Sequence, residues 1–276
     1  MNRAPFHSKS PDVNLTWSEF IEFVDDPQRH AHALNSSHDP AKPGFRSLAS
    51  WVDMVDAAKR GWPEGLEKIQ RSLVTARAVV GAARRAIDRY DVGGERPHVP
   101  LACAGEPRSM VRRAPILQRV RPSIRILLNI TAGFAIPASY LINRGAAVLA
   151  WCDALETAGY STEITTVHAC DHMGMAMRYR VEVKRAGDKF DFDRLSFALA
   201  CPDFMRRAHF AMQETGEYSH RCTKNGGYGH VARATPDVGQ VYVPSVPSGS
   251  RAFATPESSA VAIRDIIAAD YPGVTT

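Results

Sequence analysis

The chain has 276 residues, of which 45% are hydrophobic and 23% charged, proportions typical of a folded globular protein. Its 34 basic and 29 acidic residues give a formal net charge of +5, a mild excess that is typical of an ordinary soluble surface and only hints at a polyanionic partner. The richest apolar run, residues 124–142, is too often interrupted by polar residues and by Pro137 to span a membrane, and no secretion signal is recognisable. These features exclude a membrane protein, a collagen-like chain and a small disulfide scaffold.

The first half of the chain predicts helices. Residues 1–14 are polar and predict a flexible tail. Residues 15–95 form a helical region, with a capping box at Thr16 and Glu19 and a second helix start at Ser47. A long apolar stripe then predicts a helix over residues 63–90.

Residues 96–122 show little periodicity and predict a basic surface connector. Six arginines lie within 18 positions at its C-terminal end: Arg108, Arg112, Arg113, Arg119, Arg121 and Arg125. They could follow a phosphate backbone, lie in a protein interface, or pair with acidic residues on a solvated surface. The sequence leaves these alternatives open.

Residues 123–276 predict an α/β domain. Residues 124–130 are nearly all apolar and predict a central strand that is covered on both faces. A helix over residues 144–158 follows, and then strands at 162–170 and 178–184, whose connection is too short for a crossover helix. A helix capped by Asp191 or Asp193, a strand at 240–244 and a helix after Thr255 complete the pattern. The expected fold is a helix-covered, mostly parallel, Rossmann-like sheet with one antiparallel hairpin, preceded by the helical region.

Residues 124–169 resemble the start of a von Willebrand factor A-like domain. Such domains open with a buried strand and a metal-binding loop of the form Asp-x-Ser-x-Ser, and a helix, a second strand and an antiparallel edge strand follow. The matching loop here contains Asn129, Thr131 and Gly133, so the first Asp and the second Ser of the family pattern are replaced. The resemblance implies Mg²⁺ binding at this loop. Because Asn129 and Thr131 offer oxygen ligands without charge, the residues themselves favour a polar turn at the end of the strand.

A second resemblance concerns residues 51–63 and the helix of residues 144–159, which are similar to uncharacterised proteins carried by bacterial viruses and plasmids. It implies a location in the host cytoplasm or the virion. The odd number of cysteines and the lack of a Cys-x-x-Cys pair independently favour reduced, mostly buried thiols in a cytoplasmic protein.

Two clusters suggest chemistry. His168, Cys170 and His172 alternate along a strand and could offer two imidazoles and a thiolate to one Zn²⁺, although the strand would have to bend. The alternative is a strand end with a buried cysteine. The glycine-rich loop 218–233 contains Arg221, Lys224 and Tyr228, which suit phosphate and base contacts; the alternative is a flexible surface loop.

Recognisable catalytic motifs are absent from the sequence, including the nucleophile elbow, the zinc-protease helix and the dinucleotide fingerprint. We therefore expect a non-enzymatic α/β binding protein without a cofactor, which acts through contacts with a partner protein or a second copy and not with a membrane. The first alternative is a nucleic-acid-binding protein that uses the Arg108–Arg125 stretch and the 218–233 loop. The second is a metal-dependent hydrolase centred on His168, Cys170 and His172.

Overall fold

The computed structural model describes residues 12–27, 45–80, 89–94, 96–112, 123–172, 175–215 and 231–270. Its strands are β1 (Asp12–Thr16), β2 (Arg89–Asp91), β3 (Arg96–Pro97), β4 (Met110–Arg112), β5 (Ser123–Asn129), β6 (Ser161–His172), β7 (Met175–Lys184) and β8 (Gln240–Val243). Its α-helices are α1 (Trp17–Asp25), α2 (Trp51–Arg60), α3 (Pro63–Val80), α4 (Val99–Cys103), α5 (Ala138–Thr157), α6 (Phe192–Ala200), α7 (Phe210–Thr215) and α8 (Pro256–Asp270). A π-helical turn, Phe204–His209, leads directly into α7.

The main sheet has five strands in the order β1-β7-β6-β5-β8. Strand β5 pairs in parallel with β6 and with β8, β1 pairs in parallel with β7, and β6 and β7 form an antiparallel hairpin. The predicted fold class, a mostly parallel, helix-covered sheet with one antiparallel pair, is confirmed.

Helices cover one face of this sheet. Ile124, Ile126 and Leu128 alternate toward the large core cluster that all the longer helices share, whereas Leu127 belongs to a small second cluster on the opposite face. That second face carries residues 231–239, because Ala234 packs on Leu127. Strand β5 is therefore buried on both sides as predicted, although helices cover only one of them.

Helix α5 is the centre of the helical layer. It begins at Ala138, six residues before the predicted start, and ends before Gly159, whose φ of +93° is the left-handed conformation expected of a helix-ending glycine. Gly145 lies against α6, since a Cβ there would come within 2.2 Å of the Leu199 carbonyl oxygen. The glycine thus permits the close approach of the two helices.

The N-terminal predictions need two corrections. Residues 12–14 do not belong to a tail, because β1 pairs in parallel with β7 at the edge of the sheet. The capping box of Thr16 and Glu19 is confirmed. Ser47 does not cap α2; Ser50 does, in a capping box with Asp53. The backbone N–H of Ser47 instead donates to the distant Asp203 carboxylate.

Residues 89–112 form a separate antiparallel sheet, here called the small sheet, in the order β2-β4-β3 with α4 between β3 and β4. The prediction of a helix reaching Tyr90 is wrong, and so is the prediction that residues 96–112 are a plain connector. Strands of two or three residues are too short to produce a periodic pattern. Val111 is buried beneath the small sheet but belongs to neither core cluster of the main sheet.

Several local predictions in the second half are confirmed. The Asp191 carboxylate accepts hydrogen bonds from the backbone N–H groups of Asp193 and Arg194 at the start of α6. Thr255 caps α8. Cys152, Cys170 and Cys201 are buried, while Cys103 is exposed. Within the described ranges, no helix combines the length and apolar character that a membrane crossing needs.

Candidate functional site

The carboxyl edge of the main sheet is where an open α/β sheet usually binds its ligand. The chain leaves β5 through α5 to reach β6 on one side, whereas β8 lies on the other side of β5. Such a reversal of strand order creates a crevice between the loops that follow the two strands. Here those loops are residues 130–137 after β5 and residues 244–252 after β8.

The loop that resembles a metal-binding loop lies at this edge. The Asn129 side-chain amide donates to the Ala232 carbonyl oxygen at 2.8 Å and to the Tyr242 hydroxyl at 3.0 Å, and its oxygen accepts from the Thr131 N–H. The Thr131 hydroxyl donates to the Ala169 carbonyl oxygen and accepts from the Ala169 N–H. Both side chains are buried, and they connect β5 to β6 and to the segment over the second face. This arrangement suits a polar strand-end turn.

Gly133 closes the crevice. Its N–H donates to the Val246 carbonyl oxygen, and a Cβ on Gly133 would come within 2.3 Å of the Ser248 hydroxyl oxygen. The loops after β5 and β8 are therefore in direct contact at the position where a ligand of an open α/β sheet would enter.

Two buried guanidinium groups stabilise the same edge. Arg144 of α5 donates to the carbonyl oxygens of Asn129 and Pro244, and these hydrogen bonds tie the end of β5 to the end of β8. Burial lowers the pKa of Arg144 to about 9. Arg206 of the π-helical turn donates to the carbonyl oxygens of Phe45 and Ile136, and its guanidinium carbon lies 3.9 Å from the centre of the Phe45 ring. Burial lowers the pKa of Arg206 to about 10, so both groups are charged at neutral pH.

Asp203 and Arg207 form a fully buried ion pair at the start of the π-helical turn, with 2.7 Å between Oδ1 and Nε. The other carboxylate oxygen of Asp203 accepts from the N–H groups of Ser47 and Leu48. Arg207 donates to the carbonyl oxygens of Leu48 and Ala49. The pair therefore holds the backbone that leads into α2, and its charged groups are fully engaged in doing so.

His168 and Cys170 face the helical layer, as their alternation predicts. The His168 ring lies parallel to the ring of His209, with 5.9 Å between centroids, and burial lowers its pKa to about 4. Burial and the neighbouring His168 lower the pKa of His209 still further below its ordinary range. The side chain of His172 lies outside the described residues, and those that are described place no group of three metal-ligating side chains together. The zinc hypothesis stays a prediction.

Most of the predicted basic contacts also stay predictions. The side chain of Arg108 is exposed beside β4, and the backbone of Arg112 ends that strand. Outside the described residues lie the remaining predicted contacts Arg113, Arg119, Arg121, Arg221, Lys224 and Tyr228. Arg125 lies on β5, where its guanidinium donates to the Val238 carbonyl oxygen.

The second face of the main sheet gathers arginines from distant positions in the chain, two of which, Arg178 and Arg180, the sequence analysis did not single out. We call it the helix-free face, because every described helix that packs on the sheet lies on the other side. Arg178 and Arg180 of β7 and Arg125 of β5 point to this face, and Arg233 stacks on Tyr242 above it. The alternation Arg178-Tyr179-Arg180 was the available signal: Tyr179 is buried among the helices, so both arginines must face the other way.

The small sheet presents the other unusual surface. Tyr90 is 44% exposed, Val92 70% and Val99 62%, although the fold buries most of its large apolar side chains. The ring of Tyr90 packs edge-on against His98, with 5.0 Å between centroids. Exposed aromatic and aliphatic groups that form a contiguous patch are typical of a contact surface, and these three side chains belong to one small sheet.

The profile of a domain of unknown function (DUF7192) matches residues 12–269. The match includes both sheets and all the described helices except the last residue of α8, so the chain belongs to this family. Comparisons with curated proteins and with solved structures find no match.

Proposed function

For this member of the DUF7192 family, we propose a non-enzymatic role in which the small sheet docks another protein chain. The observation that carries the proposal is that residues 89–112 are an ordered module outside the main core, which leaves Tyr90, Val92 and Val99 exposed. An apolar surface of this kind is costly in water unless a partner covers it.

Contacts within the small sheet support a preformed surface. The His98 backbone N–H donates to the Ser109 carbonyl oxygen, and the His98 ring nitrogen Nδ1 accepts from the Leu101 N–H at the start of α4. Tyr90 packs on the same imidazole, and Val111 of β4 is buried. A partner would therefore meet side chains already held in place, which reduces the entropy lost on binding.

The carboxyl edge supports the non-enzymatic part of the proposal. Asn129, Thr131, Arg144 and the pair of Asp203 and Arg207 all direct their polar atoms to the backbone of neighbouring segments. Groups engaged in this way hold loops together and are not free to bind or activate a substrate.

The test compares two double variants of matched exposure. Val92→Glu with Val99→Glu places charges on the small sheet, whereas Val52→Glu with Val74→Glu places them on α2 and α3 at sites that are likewise 70% and 62% exposed. We expect the wild type and the control to retain a stoichiometric partner on purification from the native cells, and the small-sheet variant to lose it.

Light scattering on the purified wild type then identifies the partner as a second copy or a different protein. Equal unfolding free energies for the two variants would exclude misfolding as the cause of the loss. Retention of the partner by the small-sheet variant, or equal loss from both variants, would contradict the proposal.

A further inference from the structure

A second surface, independent of the small sheet, carries positive charge that has no acidic partner in the part of the chain that the structure describes. We infer that the helix-free face binds the phosphates of a single-stranded nucleic acid through Arg180 and Arg233. The argument starts from how the charges on this face are paired.

Several charged groups on the described part of the helix-free face have a neighbour of opposite sign. Asp12 of β1 pairs with Arg178 at 3.4 Å. Glu182 of β7 pairs with Arg185 at 3.0 Å. Glu163 of β6 lies opposite Arg125 in the parallel register between β6 and β5.

Arg180 and Arg233 have no neighbouring carboxylate of this kind among the described residues. Within the described ranges, the guanidinium of Arg180 donates one long hydrogen bond, 3.5 Å, to the Thr235 carbonyl oxygen, and its register partners are Asn14 and Val167, which carry no charge. The guanidinium of Arg233 lies 5.8 Å from the centre of the Tyr242 ring, and the residue is exposed. Among the described residues neither group lies within ion-pair distance of a carboxylate, so both keep donors for an anion.

The fold brings these charges together from distant parts of the chain. Residues 232–235 cross the face, since the Ala232 carbonyl oxygen accepts from the Asn129 amide of β5 and the Thr235 carbonyl oxygen accepts from Arg180 of β7. Arg233 is thereby placed between the two strands. Arg178 lies two residues from Arg180 on the same face, about 7 Å away.

Phosphates fit this arrangement better than bases do. A guanidinium group can bind two phosphate oxygens at once. The Arg233 guanidinium lies over the Tyr242 ring, 5.8 Å from its centre, and the Tyr242 hydroxyl accepts from the Asn129 amide and the Ala234 N–H. A base that stacked on Tyr242 would have to compete with Arg233, so we expect phosphate contacts to dominate and binding to be independent of base sequence. A single-stranded nucleic acid can lie extended across a sheet of this kind. An acidic peptide could contact the same arginines and is therefore the competing ligand in the experiment.

The experiment measures fluorescence anisotropy of labelled oligothymidylate, about 20 nucleotides long, between about 50 and 200 mM salt. Each phosphate contact on a single strand contributes about 0.7 to the slope of log affinity against log salt. Arg180→Gln with Arg233→Gln should therefore reduce the slope by about 1.4. Arg180→Lys with Arg233→Lys keeps the charge and should retain most of the slope.

The control, Arg60→Gln with Arg264→Gln, removes the same charge from ion pairs with Asp56 and Asp265 on the helical side and should leave the slope unchanged. Thermal unfolding of each variant checks that it folds. Absence of wild-type binding at 50 mM salt, binding that survives the double Gln change, or an equal effect of the control would overturn the inference. Tighter binding of polyglutamate than of the oligonucleotide would identify an acidic protein as the ligand and would also overturn it.

Discussion

Replacing Asp203 by alanine should remove much of the stability of this fold. Its carboxylate is fully buried, forms an ion pair with Arg207 at 2.7 Å, and accepts hydrogen bonds from the N–H groups of Ser47 and Leu48 at 2.7 and 3.0 Å. The substitution leaves a buried guanidinium without its counter-ion and two backbone donors without an acceptor. It should also loosen the chain before α2.

The magnitude follows from these contacts. Breaking a buried ion pair by removing one partner costs about 3–5 kcal/mol, because the other charge stays buried and unpaired. Each orphaned buried donor adds about 1–3 kcal/mol unless water reaches it. Against a total stability of about 5–15 kcal/mol, Asp203→Ala should therefore remove a large share of the free energy of unfolding.

Urea unfolding, followed by tryptophan fluorescence, measures the effect. Asp265→Ala is the control, because it removes a carboxylate from the exposed pair with Arg264 and should cost about 0–1 kcal/mol. The double variant Asp203→Leu with Arg207→Met removes both buried charges and should recover part of the loss. A loss below about 1 kcal/mol for Asp203→Ala would refute the assigned role, and so would a double variant less stable than the single one.

Three further predictions concern the core and the carboxyl edge. Leu128→Ala should cost about 2–5 kcal/mol by opening a cavity under a fully buried side chain, and a denaturation shift below about 1 kcal/mol would contradict its core position. Gly133→Ala should lower the free energy of unfolding by about 1–3 kcal/mol, because the new methyl group would contact Ser248. Gly93→Ala places its methyl group in open space and should have no such effect, so equal melting temperatures for the two variants would contradict the prediction. Burial lowers the pKa of His168 from about 6.5 in the unfolded chain to about 4 in the folded protein. The unfolded chain therefore binds a proton first as the pH falls, so the free energy of unfolding should be constant above about pH 6.5 and decrease toward pH 4, by on the order of 3 kcal/mol. Unfolding titrations should show this decline weakened in His168→Phe, and identical pH profiles for the two proteins would exclude the effect.

The parts of the fold that depend on neighbouring residues could be predicted from the sequence. The capping box of Thr16 and Glu19 is local, and so are the Asp191 cap and the helix-ending Gly159. The hairpin of β6 and β7 follows from a connection too short for a crossover. Each of these features is specified by at most a few adjacent residues.

Features that depend on distant residues could not be predicted. Ser47 resembles a helix cap, but its backbone is held by Asp203, 156 positions later in the chain. Strand β1 gains its structure only by pairing with β7. The arginines of the π-helical turn contact backbone that the fold brings in from distant segments.

The candidate surfaces show the same division. Asn129 and Thr131 were correctly placed at the end of a strand, but their partners Ala232 and Ala169 come from other segments. Arg180 is recognisable as outward-facing from alternation alone, yet the absence of a carboxylate beside it among the described residues depends on which strands lie next to β7.

Site-specific photo-crosslinking from the small sheet tests the central claim most directly. A photoreactive amino acid at position 92 lies on the proposed docking surface, and one at position 261 lies on α8, where Val261 is 38% exposed. On irradiation of the native cells, the docking account predicts one discrete protein adduct from position 92 that disappears when Val99→Glu is added, and none from position 261. Absence of an adduct from position 92, or the same pattern of adducts from both positions, would contradict the account.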